Sequence, residues 1–521
     1  MNNGRLVLVA MVFACAMTFI DQTIVAIAIP DIEKDLGLSD DASQWVVNGY
    51  LLALAALFAF GGKLGDVLGR RSMVTVGVIG FTICSVLCGF TPDGSISEAW
   101  LIASRVAQGA FAALLFPAAV GIVVAAFSAD ERGKAMAIFF GVTGGLTAVG
   151  PFLGGYLVEW TWRSIFWINV PVAIIALIMI HVSKPDNTKR PQKLDYRGTV
   201  LIAGAMGLVV LALQQATEWG WISAQTIGCI VAGLILGAIF IRRELSIDLP
   251  LLQLRIFSDR GFAADNMILA LMSIAFVPFF LFASEYAQIA LGQSASGAGE
   301  YIMYFFIGFV VAAQIGGRML DSDGAKKPVL IGSVVSAVGF FMLAGRATDL
   351  NINDQQWPLI IAGAGVGMIL GPASTDALNR AAKTAYSEVT GITQTARNLG
   401  ASIGLAVLST ILISQTKTNV VDRLGADGVS RTEAISVADS LSSGPGAAPS
   451  GASTTSAELV HSVQMAFADS MQVVFYIMAG VMASIYVIAQ IWMVSGRAES
   501  VEEAAAEQSV DPIVSEPLAS G

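Results

Sequence analysis

Charge is scarce in this chain: only 13% of its 521 residues are Asp, Glu, Lys or Arg. A soluble domain carries about 25%, so the deficit excludes an ordinary water-soluble globule. Histidine occurs twice and cysteine four times, at positions 15, 84, 88 and 229. Cys84 and Cys88 stand one helical turn apart with no His or acid beside them, which does not suit a metal site, and all four thiols lie in apolar runs where cysteine acts as a small hydrophobe. No GxxxxGK[ST] stretch occurs, which excludes ATP hydrolysis through a phosphate-binding loop. Any work done must draw on a gradient or a partner, and neither a metal nor an organic cofactor is expected. The net charge of −10 carries no message about nucleic acid, because much of the acidity sits after Gly496, in Glu499, Glu502, Glu503, Glu507, Asp511 and Glu516. Residues 496–521 read as a disordered acidic tail.

What the chain has instead is apolar length, with 55% hydrophobic residues. A hydrocarbon slab about 30 Å thick needs roughly 20 apolar residues at 1.5 Å rise each. Fourteen such runs are expected, near 6–29, 44–62, 73–90, 100–127, 134–157, 164–183, 198–215, 225–242, 261–284, 298–316, 328–346, 357–376, 391–413 and 470–493. The runs are continuous rather than alternating, so the fold class is an all-α polytopic membrane protein and not a barrel. Asp21 and Gln22 interrupt the first run and no polar domain follows it, which makes it a helix rather than a signal peptide.

With the N-terminus inside, 22 of the 29 Lys and Arg fall in alternate, cytoplasmic segments; the exceptions are Lys34, Arg105, Arg163, Arg346, Lys417, Arg423 and Arg431. By the positive-inside rule both termini are cytoplasmic and the helix count is even. Residues 414–468, including SLSSGPGAAPSGASTTS, read as a long exterior loop whose last part, AELVHSVQMAFADS, is an amphipathic lead-in to the final helix.

Two polar stretches interrupt this pattern, GGKLGDVLGRRSM at 61–73 and GGRMLDSDGAKKP at 316–328. They align without a gap at an offset of 255 residues, in the second-to-third and tenth-to-eleventh cytoplasmic connections. Internal repeats of this kind build secondary transporters from two parallel halves. A six-plus-six design would place six helices between the two loops, and here there are eight, so helices seven and eight are an inserted pair. The expected division is 1–190 for the first six-helix bundle, 191–250 for the inserted helices and 251–495 for the second bundle. In the first loop Gly65 and Gly69 permit tight turns, Asp66 can accept from a helix N-terminus, and Arg70 and Arg71 offer donors. In the second, Asp321 persists while Leu320 replaces the inner glycine and Ala325 the first arginine. That copy is expected to hold more weakly.

Asp21 lies about 22 Å from the cytoplasmic start of helix one, and Arg105 about 8 Å from the outer end of helix four, which runs the other way. The two charges are at matching depth. An unpaired charge there costs at least a few kcal/mol, so the pair is expected to join helices one and four until protonation of the carboxylate breaks it; a permanently satisfied structural pair is the alternative. Helix five carries Gly141 and Gly145, then Gly150 and Gly154, each one turn apart, with Pro151 and Gly155 beside them. Small residues at that spacing allow close helix approach, and Pro151 permits a bend.

GGKLGDVLGRR resembles the signature cytoplasmic loop of the major facilitator superfamily. DQTIVAIAIPDI, QWVVNGYLL, RVAQGAFAA, GPFLGG, WRSIFWINVPV and NRAAKTAYSEVTGITQTARNLGASIG are similar, in order, to motifs of its fourteen-helix drug:proton antiporter branch. The resemblance implies two pseudo-symmetric bundles, alternating access, proton coupling through Asp21 and Arg105, a conformational latch in the first loop, and export rather than uptake from the helix-five motif. It implies a transporter, not an enzyme, that works as a monomer with lipid, protons and a small substrate as its partners. Tentative cavity residues are Gln44, Trp45, Tyr50, Gln108, Asn169, Met272, Phe276, Gln314, Gln394 and Asn398. With few acids in the second-half helices, a lipophilic substrate that is neutral or singly cationic is expected. A dedicated exporter of one endogenous metabolite, antibiotic or lipid is the alternative.

Overall fold

The computed structural model describes residues 3–189, 194–247, 250–382, 385–442 and 457–496. The acidic tail after Gly496, the Ser/Gly-rich stretch 443–456, the basic residues Arg190, Lys193, Lys383 and Arg497, and the side chains at Pro151 and Gly155 lie outside that description. Every regular element among the described residues is a helix. The first half comprises α1 (Asn3–Leu36), α2 (Asp40–Leu68), α3 (Arg70–Gly89), α4 (Ser97–Ala126), α5 (Ala129–Trp160), α6 (Ser164–Trp167) and α7 (Asn169–Ser183). Then come α8 (Tyr196–Gln214), α9 (Ala216–Trp219) and α10 (Ala224–Glu244). The second half comprises α11 (Arg260–Ile289), α12 (Ala295–Asp323), α13 (Lys326–Arg346), α14 (Ile352–Asn379), α15 (Tyr386–Ala426), α16 (Arg431–Ser442) and α17 (Ala457–Trp492).

Among the described residues thirteen segments are long and apolar enough to cross a membrane, α6 and α7 counting as one. The 32-residue α5 stands where the fifth span is expected. Polar caps set where several helices begin: Ser39, Ser294 and Asp259 each accept from a backbone N–H in the first turn of α2, α12 and α11. The stops between α2 and α3 and between α12 and α13 are glycines at matching positions, Gly69 at φ +99° and Gly324 at φ +85°, a region costly for any side chain.

Packing sorts the helices into two bundles. α1, α2, α3, α4, α5 and α7 pack on one another, as do α11, α12, α13, α14, α15 and α17. The bundles meet along two seams, α2 with α15 and α5 with α12. α10 packs on α8, which leans on α2 and α15. Only 28% and 17% of the apolar stretches of α8 and α10 are buried, against 83% for α14, so this pair is peripheral.

The expected loop 414–468 is largely helical where it is described. α15 continues to Ala426, α16 covers Arg431–Ser442, and α17 begins at Ala457. Residues 414–426 are polar in sequence, yet Val420 and Leu424 form a one-turn stripe that packs on Ala434, Ala438 and Ala466. Asn419 donates to Ser470 at 2.9 Å and Arg423 pairs with Asp469. The amphipathic lead-in expected before the last helix is the first part of α17.

Candidate functional site

At one end of the seam between α2 and α15, Asp66 accepts from the backbone N–H of Glu388 at 2.8 Å and of Ser387 at 3.4 Å, the first turn of α15. A carboxylate on a helix N-terminus satisfies orphan donors and opposes the helix dipole. Arg70 donates to the same carboxylate at 2.9 and 2.7 Å, to Ser387 Oγ at 3.0 Å and to the Gly121 carbonyl at 3.4 Å, which ties α3 and α4 into the joint. Lys63 pairs with Glu388 at 3.0 Å with both side chains buried, and the other Glu388 oxygen accepts from the Gln253 N–H at 2.6 Å. A Cβ at Gly62 would overlap the Ser387 carbonyl and one at Gly65 would touch the Ser387 side chain, so the backbones meet only because these positions are bare. Arg71 is half-buried and stands outside these bonds.

The seam between α5 and α12 repeats the device. Asp321 accepts from the N–H of Gly133 at 2.9 Å and Lys134 at 3.2 Å in α5, and Gly317 lies against Gly133 backbone to backbone. The two acceptors, Asp66 and Asp321, and the two donors, Gly133 and Glu388, are each 255 residues apart. Arg70 and Arg132 both lie over the Tyr386 ring, at 5.4 and 5.5 Å from its centroid.

Deeper in the first bundle, Asp21 of α1 and Arg105 of α4 form an ion pair with side chains 0% and 1% exposed. Gln108, one turn beyond Arg105, bridges it: its Nε2 donates to Asp21 Oδ1 at 3.0 Å and its Oε1 accepts from Arg105 Nη1 at 2.6 Å. Arg105 Nε donates to the Val46 carbonyl of α2 at 3.0 Å, and the guanidinium lies 4.5 Å over the Tyr50 ring. Three helices thus meet at one fully desolvated charge pair.

The chain matches the model of the Major Facilitator Superfamily over residues 11–405. This chain belongs to that superfamily. The tetracenomycin C resistance and export protein of Streptomyces glaucescens is 31% identical over 511 residues, covering 96% of this chain and 93% of that protein. The multidrug resistance protein Stp of Mycobacterium tuberculosis is 31% identical over 83% of this chain and 81% of its own length. Among solved structures, the proton:xylose symporter XylE aligns over 97% of this chain and all of its own with a TM-score of 0.63 at 12% identity, a likeness of fold. As a major facilitator protein the chain is a multi-pass membrane transporter and not an enzyme.

Several tentative cavity residues are spent elsewhere in this facilitator fold. Tyr50 and Gln108 belong to the buried charge cluster; Asn169 donates to Ser85 Oγ at 2.9 Å; Met272 is fully buried; and Phe276 stacks on Phe309 at 5.9 Å. Gln44 is exposed and Trp45 half-buried near the start of α2. Hydropathy marks a polar residue in a span but not whether a neighbour already uses it. Gln314 is half-buried facing Gly141. Gln394 and Asn398 sit with Arg397 on α15: Arg397 donates to Gln394 Oε1 at 2.6 Å, and Asn398 to the Gln394 carbonyl at 2.8 Å. In α5, Gly150 lets the helix lie against Thr23 and Ile20 of α1, whereas Gly145 has open space around it, and Gly154 is buried. Lys63, Ser387 and Glu388 escaped the sequence reading; the repeat offset that pairs Asp66 with Asp321 also pairs Glu388 with Gly133 and was the signal for them.

Proposed function

We propose that this chain is a proton-coupled exporter of lipophilic drugs, dyes or antibiotics, working by alternating access between its two bundles. Export is supported by two relatives over most of their length, one named for tetracenomycin C resistance and export and one for multidrug resistance. Coupling rests on one observation, the buried Asp21–Arg105–Gln108 cluster. A proton on Asp21 removes the charge that holds Arg105, while the guanidinium keeps the Val46 carbonyl and Gln108 Oε1 as acceptors. Protonation therefore reduces the α1–α4 tie to the Gln108 hydrogen bond and leaves α4 tied to α2. A proton falling through 100 mV supplies about 2.3 kcal/mol and each pH unit about 1.4 kcal/mol, enough for a substrate gradient of several hundredfold.

With both termini cytoplasmic, the Asp66 and Asp321 joints close the cytoplasmic side, and their opening admits substrate from within. Residues 1–190 and 251–495 act as the two rocking bundles around the pair in 191–250, and one chain suffices. The substrate is a small lipophilic molecule. Arg397 favours a second reading of its charge: the guanidinium Nε has no partner among the described residues, which suits an anionic or carbonyl oxygen better than the singly cationic group the acid count suggests. Ethidium efflux, with and without a protonophore, tests the function. Asp21→Asn is expected to abolish gradient-driven efflux, and protonophore-sensitive efflux at the wild-type rate in that variant would sink the coupling.

A further inference from the structure

A second buried acid stands in the other bundle, outside the cluster just described. Asp265, in the second turn of α11, has a side chain that is 0% exposed. Among the described residues neither of its oxygens has a hydrogen-bond donor. The Asn266 amide beside it is committed to the Phe262 carbonyl at 2.8 Å. Arg380 of α14 comes no closer than 3.7 Å, beyond hydrogen-bond range, because its Nε is given to Asp376 at 2.9 Å and its Nη1 to Asp259 at 3.1 Å. The guanidinium lies directly on α11 at Gly261, where a Cβ would overlap it. One cation thus serves three carboxylates, and its Nε stands 3.7 Å from Asp265 Oδ2 and 2.9 Å from Asp376 Oδ2, so the two carboxyls, 0% and 3% exposed, crowd one guanidinium nitrogen.

The charged groups facing Asp265 are Asp376 and Arg380 from α14 and Asp259 at the start of its own helix. The other elements packed on α11, namely α12, α15, α17 and the turn Leu254–Ser258, bring no charged side chain into bonding contact with it among the described residues. A carboxylate with no donor in such a place costs several kcal/mol, and two adjacent carboxylates repel as well. A single proton removes both penalties, because one carboxyl becomes an O–H donor to the other.

We propose that Asp265 and Asp376 share one proton, forming a second proton site in the second bundle, connected to water through Arg380 and Asp259. Side-chain exposure falls along that path from 45% at Asp259 through 11% at Arg380 and 3% at Asp376 to 0% at Asp265. The site opens on the face that carries the two joints, since Asn379, next to Arg380, accepts from Arg132 at 3.2 Å. Loss of the proton sets two like charges between α11 and α14, so its occupancy biases the packing of the second bundle. None of this depends on Asp21 being the coupled acid.

The test is infrared difference spectroscopy of the full-length protein in lipid nanodiscs between neutral and alkaline pH, in H2O and D2O. A protonated-carboxyl C=O band that shifts in D2O is expected, absent in Asp265→Asn and in Asp376→Asn and retained in Asp21→Asn. Indicator-dye titration over the same interval should release one proton fewer per chain in the first two variants. The asparagine amide supplies the donor that the proton supplied, so these variants keep the fold; should either fail to fold, Asp265→Glu must retain the band at a shifted frequency. Asp259→Asn should keep the band and slow its response to a pH jump. A band unchanged in both the Asp265 and Asp376 variants, or one lost only in Asp21→Asn, overturns the proposal.

Discussion

At the first joint Asp66 holds two backbone N–H groups of α15, Arg70 grips the same carboxylate, and Lys63 pairs with Glu388 beside it. At the second, Asp321 holds two backbone N–H groups of α5, Ala325 stands where the first copy has Arg70, and Arg318, the counterpart of Lys63, is exposed. The contact that survives in both copies is the one between a carboxylate and main-chain amides, which no substitution but proline removes from the donor side. The Arg70 reinforcement is a side-chain feature, and Ala325, at the matching position of the second copy, cannot supply it. Pseudo-symmetry here fixes the geometry of closure while leaving its strength free to differ.

That difference can be broken most directly at Asp66. In Asp66→Ala the two amides and the Arg70 guanidinium lose their shared acceptor, a loss of about 3–5 kcal/mol for a buried partner, and initial efflux rates should fall a hundredfold or more. Next come Gly62→Val and Gly317→Val, which push bulk into seams where backbone meets backbone. Both should open their seams, seen as faster amide hydrogen exchange at 387–391 for the first and 133–137 for the second. If only the first does so, the second seam is not a true counterpart. Asp321→Ala removes a cap at the joint where Ala325 stands in place of Arg70, costing about 1–2 kcal/mol, so a drop of roughly tenfold is expected in the same efflux assay; an effect as large as that of Asp66→Ala would contradict the inequality. The graft Ala325→Arg sharpens the comparison from the other side, and a reinforced second joint should slow turnover by about two- to fivefold.

The smallest effect is expected outside both joints. Asp195 pairs with Arg243 at 2.8 and 3.0 Å across the inserted helices, and the hydrogen bonds from Arg243 hold its carboxyl below the ordinary range. A depressed carboxyl contributes stability that is full above its unfolded value and is lost as pH falls through the folded one. Asp195→Asn should therefore lower thermal stability slightly at neutral pH, by less than about 1 kcal/mol for an ion pair with one partner at the surface, and the gap from wild type should close in acid.

The helices themselves were legible because each must satisfy its backbone internally and be apolar over about 20 residues. The offset between the two GG-initiated loops anticipated their matching joints, and equal depth in opposed helices anticipated the Asp21–Arg105 pair. Hydropathy was blind to the helical part of 414–426, where Val420 and Leu424 make a narrow stripe among polar residues. It was equally blind to which polar side chains already have partners: Gln108 and Asn169 look like cavity residues in sequence and are consumed by Asp21, Arg105 and Ser85 in the fold. Tertiary hydrogen bonds leave no periodicity in a sequence.

Tyr386 belongs to neither aspartate, yet the arginine of the first joint and the one preceding Gly133 at the second both rest on its ring. Each such contact is worth about 0.5–2 kcal/mol. The ring works as a common strike plate for two catches. Under the proposed cycle, lifting one arginine would disturb the seat of the other, and the closed face would give way in a single movement. A transporter whose gate parts all at once spends little time ajar, and that brevity guards the membrane against protons slipping through without cargo.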